Sequence, residues 1–344
     1  MINLVQFPGL GLSLHINRVA ISLGGFNIYW YGILLAAGLM GGLLFAFRYG
    51  PDFGIDTDRM VDVVVIGTVM AIVCARIYYV AMAPFQYQSL WEMIDLRNGG
   101  IAIYGALIGA FVFGGLACKW RKIPLLQMFD LVAMGFLIGQ GIGRWGNFVN
   151  QEAFGCNTTL PWGMYSEATQ SYLAANAASL AAQGMTVDPT MPVHPTFLYE
   201  SLWCFAGLFM LFRFMKKRCF HGEIFLLYAV WYGCGRFWIE GLRTDSLMLS
   251  AALNLRASQL VAAVSVIAAL ALEIHFRRIY RKAPMMVNLA VADLKAYAKA
   301  FPDGVCAKAL PASASHAEFV QKTKEWNREI REKAESADSA QAEE

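Results

Sequence analysis

Arginine is costly inside a long apolar run, and this chain carries three arginines in or at the ends of such runs. Arg76 lies in "AIVCARIYYVA", Arg144 closes "LVAMGFLIGQGIGR", and Arg236 lies in "VWYGCGRFWIEGLR". Arg236, Glu240 and Arg243 are spaced i, i+4, i+7, which puts them on one helix face. If Glu240 neutralises one arginine, the others exceed the acids beside them. A guanidinium is a rigid fork of donors that matches a phosphate bidentately. The chemistry such a set suits is the holding of an anionic headgroup and the stabilisation of charge developing on its oxygens. Around Arg144, "QGIGRWGNFVNQEAFG" adds Asn147, Asn150, Glu152 and Gly155. Its Gly141, Gly143 and Gly146 spell a dinucleotide-binding turn. That turn needs a strand before it and a soluble βαβ unit around it, whereas here a span-length apolar run precedes the glycines. They are read instead as points where backbone and substrate approach closely, and where a helix unwinds beside a polar cavity. Helix–helix contact is the structural alternative.

The elements that position these groups must cross a membrane. Of 344 residues, 57% are apolar and 15% charged, with mean hydropathy +0.45, against about 45–50% and about 25% in a soluble domain. A spanning helix needs about 20 apolar residues. Seven runs qualify: Phe26–Phe47, Met60–Ala83, Gly99–Ala117, Leu125–Gly143, Phe197–Met215, Glu223–Gly241 and Ala257–Phe276. The expected fold is an all-α polytopic membrane protein of seven helices. Alternate connections are basic: Arg48 and Arg59; Lys119, Arg121 and Lys122; Arg213, Lys216, Lys217 and Arg218; then Arg277, Arg278, Arg281 and Lys282. The positive-inside rule puts these in the cytoplasm, hence the N-terminus outside and the C-terminus inside. The first twenty residues lack the pattern of a cleavable leader, so the first apolar span is expected to stay as an anchor. The net charge of +3 is too small to argue from, and no nucleic-acid partner is expected. Seven cysteines are scattered without a CxxC or Cys/His set, so neither a disulfide framework nor a metal site is read, and no cofactor is implied.

On this topology the buried charges sort by depth. Asp62, Asp130, Glu223 and Glu273 lie within about a turn of the cytoplasmic ends, where they are expected to reach water or headgroups. Tyr31, Arg76, Tyr104, Arg144, Glu200, Arg236, Glu240 and Arg243 converge at the outward ends of different helices. Residues 146–193 form an external excursion, expected to be an ordered arm with a short helix in "LAANAASLAAQG". The chain divides into a membrane domain, 1–283, and a charged cytoplasmic tail, 284–344, partly helical and dispensable for chemistry.

The motif "GRWGNFVNQEAFG" resembles the signature of the prolipoprotein diacylglyceryl transferase family. Further matches follow in that family's order: "YWYGI" with Trp30, Tyr31 and Gly32; "ARIYYV" with Arg76 and Tyr79; "GGIAIYGALIG"; "HPTFLYE" with His194, Tyr199 and Glu200; and "GRFWIEGLRTD" with Arg236, Glu240, Arg243 and Asp245. The resemblance runs from about Gly24 to Phe276 and omits the tail. It implies a seven-span inner-membrane enzyme that moves the diacylglyceryl group of phosphatidylglycerol onto the lipobox cysteine of a prolipoprotein signal peptide. The products are a thioether and glycerol 1-phosphate. One departure stands out. Many relatives carry His-Gly-Gly in the third span, where this chain reads Tyr104-Gly105-Ala106. A histidine base is therefore excluded there. A phenol is a poor base at neutral pH but a capable hydrogen-bond donor.

The expected mechanism is substitution by a thiolate at the glyceryl carbon that bears the phosphate. Arg144 and Arg236 are expected to hold the phosphate, with Glu240 orienting Arg236. Glu152 and Tyr104 are candidates for proton handling. Tyr31, Arg76, Asn147, Asn150, Gly155 and Arg243 are candidates for binding substrate. His194 is expected to cap the fifth helix. The rival reading is an anion or lipid transporter, although no internal repeat of the kind such proteins carry is visible. A magnesium-dependent phosphotransferase lacks its carboxylate cluster at the outer layer. A retinal receptor lacks its seventh-span lysine.

Overall fold

The computed structural model describes residues 2–24, 26–83, 87, 89–95, 99–244, 248–250, 255–280, 286–289, 291–302, 308–311 and 316–342. The chain opens with β1 (Ile2–Phe7), β2 (Leu12–Asn17), β3 (Val19–Leu23) and β4 (Phe26–Tyr29). Helices α1 (Trp30–Tyr49), α2 (Thr57–Ala81), α3 (Leu90–Ile94), α4 (Ile103–Trp120) and α5 (Leu125–Asn150) follow. Then come β5 (Tyr165–Ser166), α6 (Glu167–Ala182), α7 (Thr196–Phe214), α8 (Glu223–Glu240), β6 (Met248–Ser250), β7 (Leu255–Arg256) and α9 (Ala257–Tyr280). The tail holds β8 (Met286–Asn288), α10 (Leu294–Ala300), β9 (Ala309–Pro311) and α11 (His316–Ala342). The chain is mostly helical, and helices α1, α2, α4, α5, α7 and α9 are long and apolar enough to cross a membrane. The 18 residues of α8 include Glu223, Arg236 and Glu240, which sets it apart from those six. The all-α expectation thus omits short strands. Phe26–Tyr29, expected at the start of the first span, pairs with β3 instead. The fourth expected span runs on as helix to Asn150, through all three glycines.

Two compact units emerge, one of Met1–Phe45 with Val132–Pro284, the other of Ala46–Leu131 with Met285–Glu344. In the first, α1 meets α5 through paired glycines. A methyl on Gly38 would stand 3.1 Å from the Gly139 Cα, and one on Gly42 3.2 Å from the Gly135 carbonyl oxygen. Small residues four apart on each helix let two backbones touch, and dispersion contacts accumulate where no water is left to expel. Between α7 and α8, Trp203 and Trp231 stack with ring centroids 4.4 Å apart. Each indole N–H donates to the other residue's carbonyl oxygen at 2.9 Å.

The expected external arm is ordered and closes over the N-terminal hairpin. The three-stranded sheet runs β2-β1-β5, antiparallel, with Val5 opposite Ser166. Ser166 caps α6 by accepting from the Thr169 N–H, and Gly184, at φ +80, ends the turn after it. Val5, Phe7, Phe148, Phe154, Met164, Leu173, Val193 and Phe197 form the buried core beneath. Each such side chain contributes about 1.5–3 kcal/mol by leaving water. This core ties the outward end of α5 and the start of α7 to the arm.

In the second unit, Gly105 and Gly109 bring α4 against the backbone of α2 at Cys74 and Met70. Asp56 caps α2, accepting from the Asp58 and Arg59 N–H groups. The described tail is folded: β8 pairs with β9, and Leu289, Tyr297, Trp326 and Ile330 form a core. Lys308 lies 4.9 Å from the Trp326 ring centroid. The proposed boundary at 283/284 falls outside the described residues.

Of the acids assigned to the other helix ends, Asp62 is 43% exposed as expected, whereas Asp130, Glu223 and Glu273 are buried. Glu223 and Asp130 are wholly buried, and Arg277 binds Glu223 Oε1 at 2.5 Å and Glu273 Oε1 at 2.7 Å. Asp62 pairs with Arg121 at 2.7 Å.

Candidate active site

The first turn and a half of α7 delivers Glu200 to the C-terminal ends of α5 and α8. Its position is fixed by the next residue: Ser201 Oγ donates to the Gly141 carbonyl oxygen at 2.9 Å and accepts from Trp145 Nε1 at 3.1 Å. On Glu200 Oε2 sit Arg144 Nη2 at 2.5 Å and Arg236 Nη1 at 3.7 Å, while Arg243 Nη1 lies 3.9 Å from Oε1. Arg236 Nη2 also meets Glu240 Oε2 at 2.7 Å, as its i, i+4 spacing foresaw. Among the described residues, three guanidinium groups thus share two carboxylates. The carboxylate side chains are sealed, 6% and 5% exposed, while Arg144 and Arg236 keep 19% and 24%. The acids therefore orient the forks, and the arginine side chains stay more accessible than the acids that hold them.

Glu200 is the residue that sequence reasoning missed as a site member. It stood in the polar layer by depth, but nothing in "HPTFLYE" says that three arginines from two other elements meet there. The signal was the surplus of arginines over acids at that depth.

Arg243 is placed by backbone. The segment after α5 runs beside it, with Gly155 bridged to Arg243 and the Cys156 N–H donating to the Leu242 carbonyl oxygen at 2.7 Å. On its other side the Gly155 N–H donates to the His194 carbonyl oxygen at 2.9 Å. A methyl on Gly155 would stand 2.7 Å from the His194 Cβ and 3.0 Å from the Leu242 oxygen, so this position admits no side chain. Gly155 serves the site by packing. His194 does so by backbone too: it precedes Pro195, the N-cap of α7, and makes no side-chain cap. Its Nδ1 lies 3.1 Å from the Tyr199 hydroxyl, which accepts from Trp162 Nε1 at 2.8 Å. Burial pushes the His194 imidazole below its ordinary pKa, which favours the neutral ring.

The motif's amides converge on one carboxylate. Asn147 Nδ2 and Asn150 Nδ2 donate to Glu152 Oε1 at 3.0 and 3.3 Å. Gln151 and Ala153, on either side of Glu152, both have φ +56. Non-glycine residues in that left-handed region carry about 1–3 kcal/mol of strain each, and such strain clusters at functional sites. Here the double turn reverses the chain out of α5 and leaves Glu152 exposed. The motif's glycines do not unwind the helix. Gly146 admits the Tyr31 ring, 2.6 Å from where its Cβ would stand, and Gly141 faces Phe205. Tyr31 thus lies against the helix that carries Arg144 and Asn147.

Arg76 and Tyr104 belong to the other unit. Arg76 donates to the carbonyl oxygens of Glu92, Met93, Gly99 and Gly100 at 2.7–2.9 Å. Its fork closes the α3 loop against α2, so it acts as a clamp rather than an anion ligand. Tyr104, in the first turn of α4, is 63% exposed, with its ring centroid 6.4 Å from that of Tyr78. Asp245, the last residue of the sixth motif, lies outside the described residues.

What this arrangement can do is bind an anion against oriented guanidinium forks at the ends of apolar helices. Comparison with known proteins identifies the relatives of this chain. The family described as prolipoprotein diacylglyceryl transferase matches residues 18–275. A phosphatidylglycerol–prolipoprotein diacylglyceryl transferase of Bacillus cytotoxicus is 43% identical over 242 residues, 70% of this chain and 86% of that protein. Proteins of the same name from Bacillus cereus strain Q1 and Bacillus anthracis strain A0248 are 44% identical over the same length and shares.

Proposed function

The chain belongs to the prolipoprotein diacylglyceryl transferase family, and from that premise we propose how its own residues carry out the transfer. The substrates are phosphatidylglycerol and the lipobox cysteine of a prolipoprotein. The cysteine sulfur attacks the glyceryl carbon that bears the phosphate. A C–S bond forms, the C–O bond breaks, and the electron pair leaves on the phosphate oxygen. The diester monoanion becomes glycerol 1-phosphate, and the thiol proton is lost as the thiolate forms. A free thiol, pKa about 8.5, is already partly ionised at neutral pH. The barrier is therefore lowered chiefly by stabilising the leaving anion.

The observation that carries this reading is the convergence of Arg144, Arg236 and Arg243 on Glu200. Held by Glu200 and Glu240, the Arg144 and Arg236 forks are already oriented for a phosphate, so little reorganisation is needed as charge builds. Arg144 and Arg236 take the phosphate, and Glu200 and Glu240 aim them. Asn147, Asn150 and Tyr31 position the headgroup, and Glu152 handles protons. In the proposed topology α8 is the sixth of seven spans, the N-terminus is outside and the tail is in the cytoplasm, so the chemistry falls in the outer leaflet of the bacterial inner membrane. There an exported cysteine and a lipid headgroup meet.

The test is an assay of purified protein in detergent, without sealed vesicles, given phosphatidylglycerol and a lipobox peptide. Release of glycerol phosphate together with a lipidated peptide is the expected result. A protein that binds the lipid but never consumes it sinks the transferase reading.

A further inference from the structure

Beside the arm lies a cleft of about 540 Å³, lined by Arg18, Val19, Asn27, Tyr29, Glu167 and Ser171. None of these residues belongs to the site described above, yet the cleft is tied to that site at two points. Arg18 Nη2 donates to the Asn150 carbonyl oxygen at 2.6 Å, at the end of α5. The Arg18 carbonyl oxygen accepts from the Trp30 N–H at 3.1 Å, where α1 begins one residue before Tyr31. Through Arg18 the cleft is bonded to the end of α5 at Asn150 and to the start of α1 at Trp30.

Its lining suits main-chain recognition. Arg18 lines the cleft with its guanidinium part-buried, and its Nε has no hydrogen-bond partner among the described residues. Asn27 and Tyr29 share one face of β4. Among the described residues β3 and β4 pair only with each other, which leaves both outer edges open. Glu167 and Ser171 stand on the opposite wall, one turn apart on α6, both exposed. The volume falls within the range of about 300–1,000 Å³ typical of ligand clefts, too small for a folded partner.

We infer that this cleft receives the prolipoprotein chain just beyond its acceptor cysteine, in extended form, with Arg18 donating to a peptide carbonyl oxygen. The inference rests on the transferase reading and deepens it. A cysteine held at the arginine cluster must send the chain that follows outward, and the cleft offers a polar path from the end of α5.

The experiment compares two lipobox peptides on the full-length protein in detergent. One ends about two residues after the cysteine; the other extends about eight residues, roughly 26 Å of extended chain. In the wild type the longer peptide should have a KM about tenfold lower, the scale of one or two hydrogen bonds. In Ser171→Trp, which fills the cleft, and separately in Arg18→Ala, that ratio should shrink to within about twofold. Because the readout is a ratio within each variant, a general loss of folded protein does not mimic it. Equal KM values for the two wild-type peptides, or a ratio that both variants retain, overturn the inference and leave the transferase reading standing. So does a rise in KM for phosphatidylglycerol in Ser171→Trp with the peptide ratio intact, which would assign the cleft to lipid. Turnover of neither peptide removes the transferase reading, and the inference with it.

Discussion

Two buried charge clusters occupy the first unit, and they are built in opposite senses. Around Glu200, three guanidinium groups meet two carboxylates. Around Arg277, two carboxylates, Glu223 and Glu273, meet one guanidinium. Both clusters join helices through buried carboxylates, but Arg277 is 40% exposed and meets water where its acids do not. Among the described residues, only the first holds guanidinium groups in excess of carboxylates. A membrane protein can therefore use the same kind of pair as a fastener or as an anion site, and the sign of the surplus separates the two uses.

The contrast is attacked most directly at Arg144 and Arg236. Lysine keeps the charge but loses the fork, so turnover by either lysine variant should fall about 10- to 1000-fold, at about 1.4 kcal/mol per factor of ten. Alanine should be worse. Wild-type turnover in both lysine variants would show that neither fork serves the phosphate. Glu200→Gln comes next. It strips the shared acid from three arginines, so the melting temperature should drop and turnover should fall by at least about tenfold, the cost of misaimed donors. Glu223→Gln should also lower the melting temperature, less sharply because Arg277 is part-exposed and keeps Glu273, yet turnover per folded molecule should stay near wild type. If thermal scans and assays showed the two glutamine variants losing turnover alike, the division into site and fastener would be wrong. The smallest effect is expected from cutting the chain after Pro284: the tail has its own Trp326 core, so the shortened enzyme should turn over within about twofold of full length. A large loss in protein that still inserts normally would give the tail a part in the chemistry.

Much of this could be read from the letters because a bilayer forces the reading. Apolar runs of span length had few alternatives, and six became helices meeting the length and apolarity that crossing needs. The i, i+4 pairing of Arg236 with Glu240 was local, hence visible. What escaped was tertiary or outside the membrane. The strand Ile2–Phe7 is six residues long and gains its meaning from Leu12–Asn17 and Tyr165–Ser166, the latter over 150 residues away. Arg76 looked like an anion ligand because sequence cannot show four carbonyl oxygens turned toward it. Three glycines near Arg144 suggested an unwound helix; the helix stays intact because Tyr31 and Phe205 fill the space that side chains would take. Glu200 was placed at the right depth, but its three partners come from elements that only the fold assembles.

The paired indoles of Trp203 and Trp231 act as a vernier between α7 and α8. Each ring is locked to the other's backbone, so the helices cannot slide by one residue, about 1.5 Å, without losing both hydrogen bonds together. Glu200 stands three positions before one indole, and Arg236 five after the other. The spacing between that acid and that guanidinium is thereby calibrated from within the bilayer, one to two turns from the site. A methyl at Gly207 or Gly235, against which these rings lie, would miscalibrate the site without touching it.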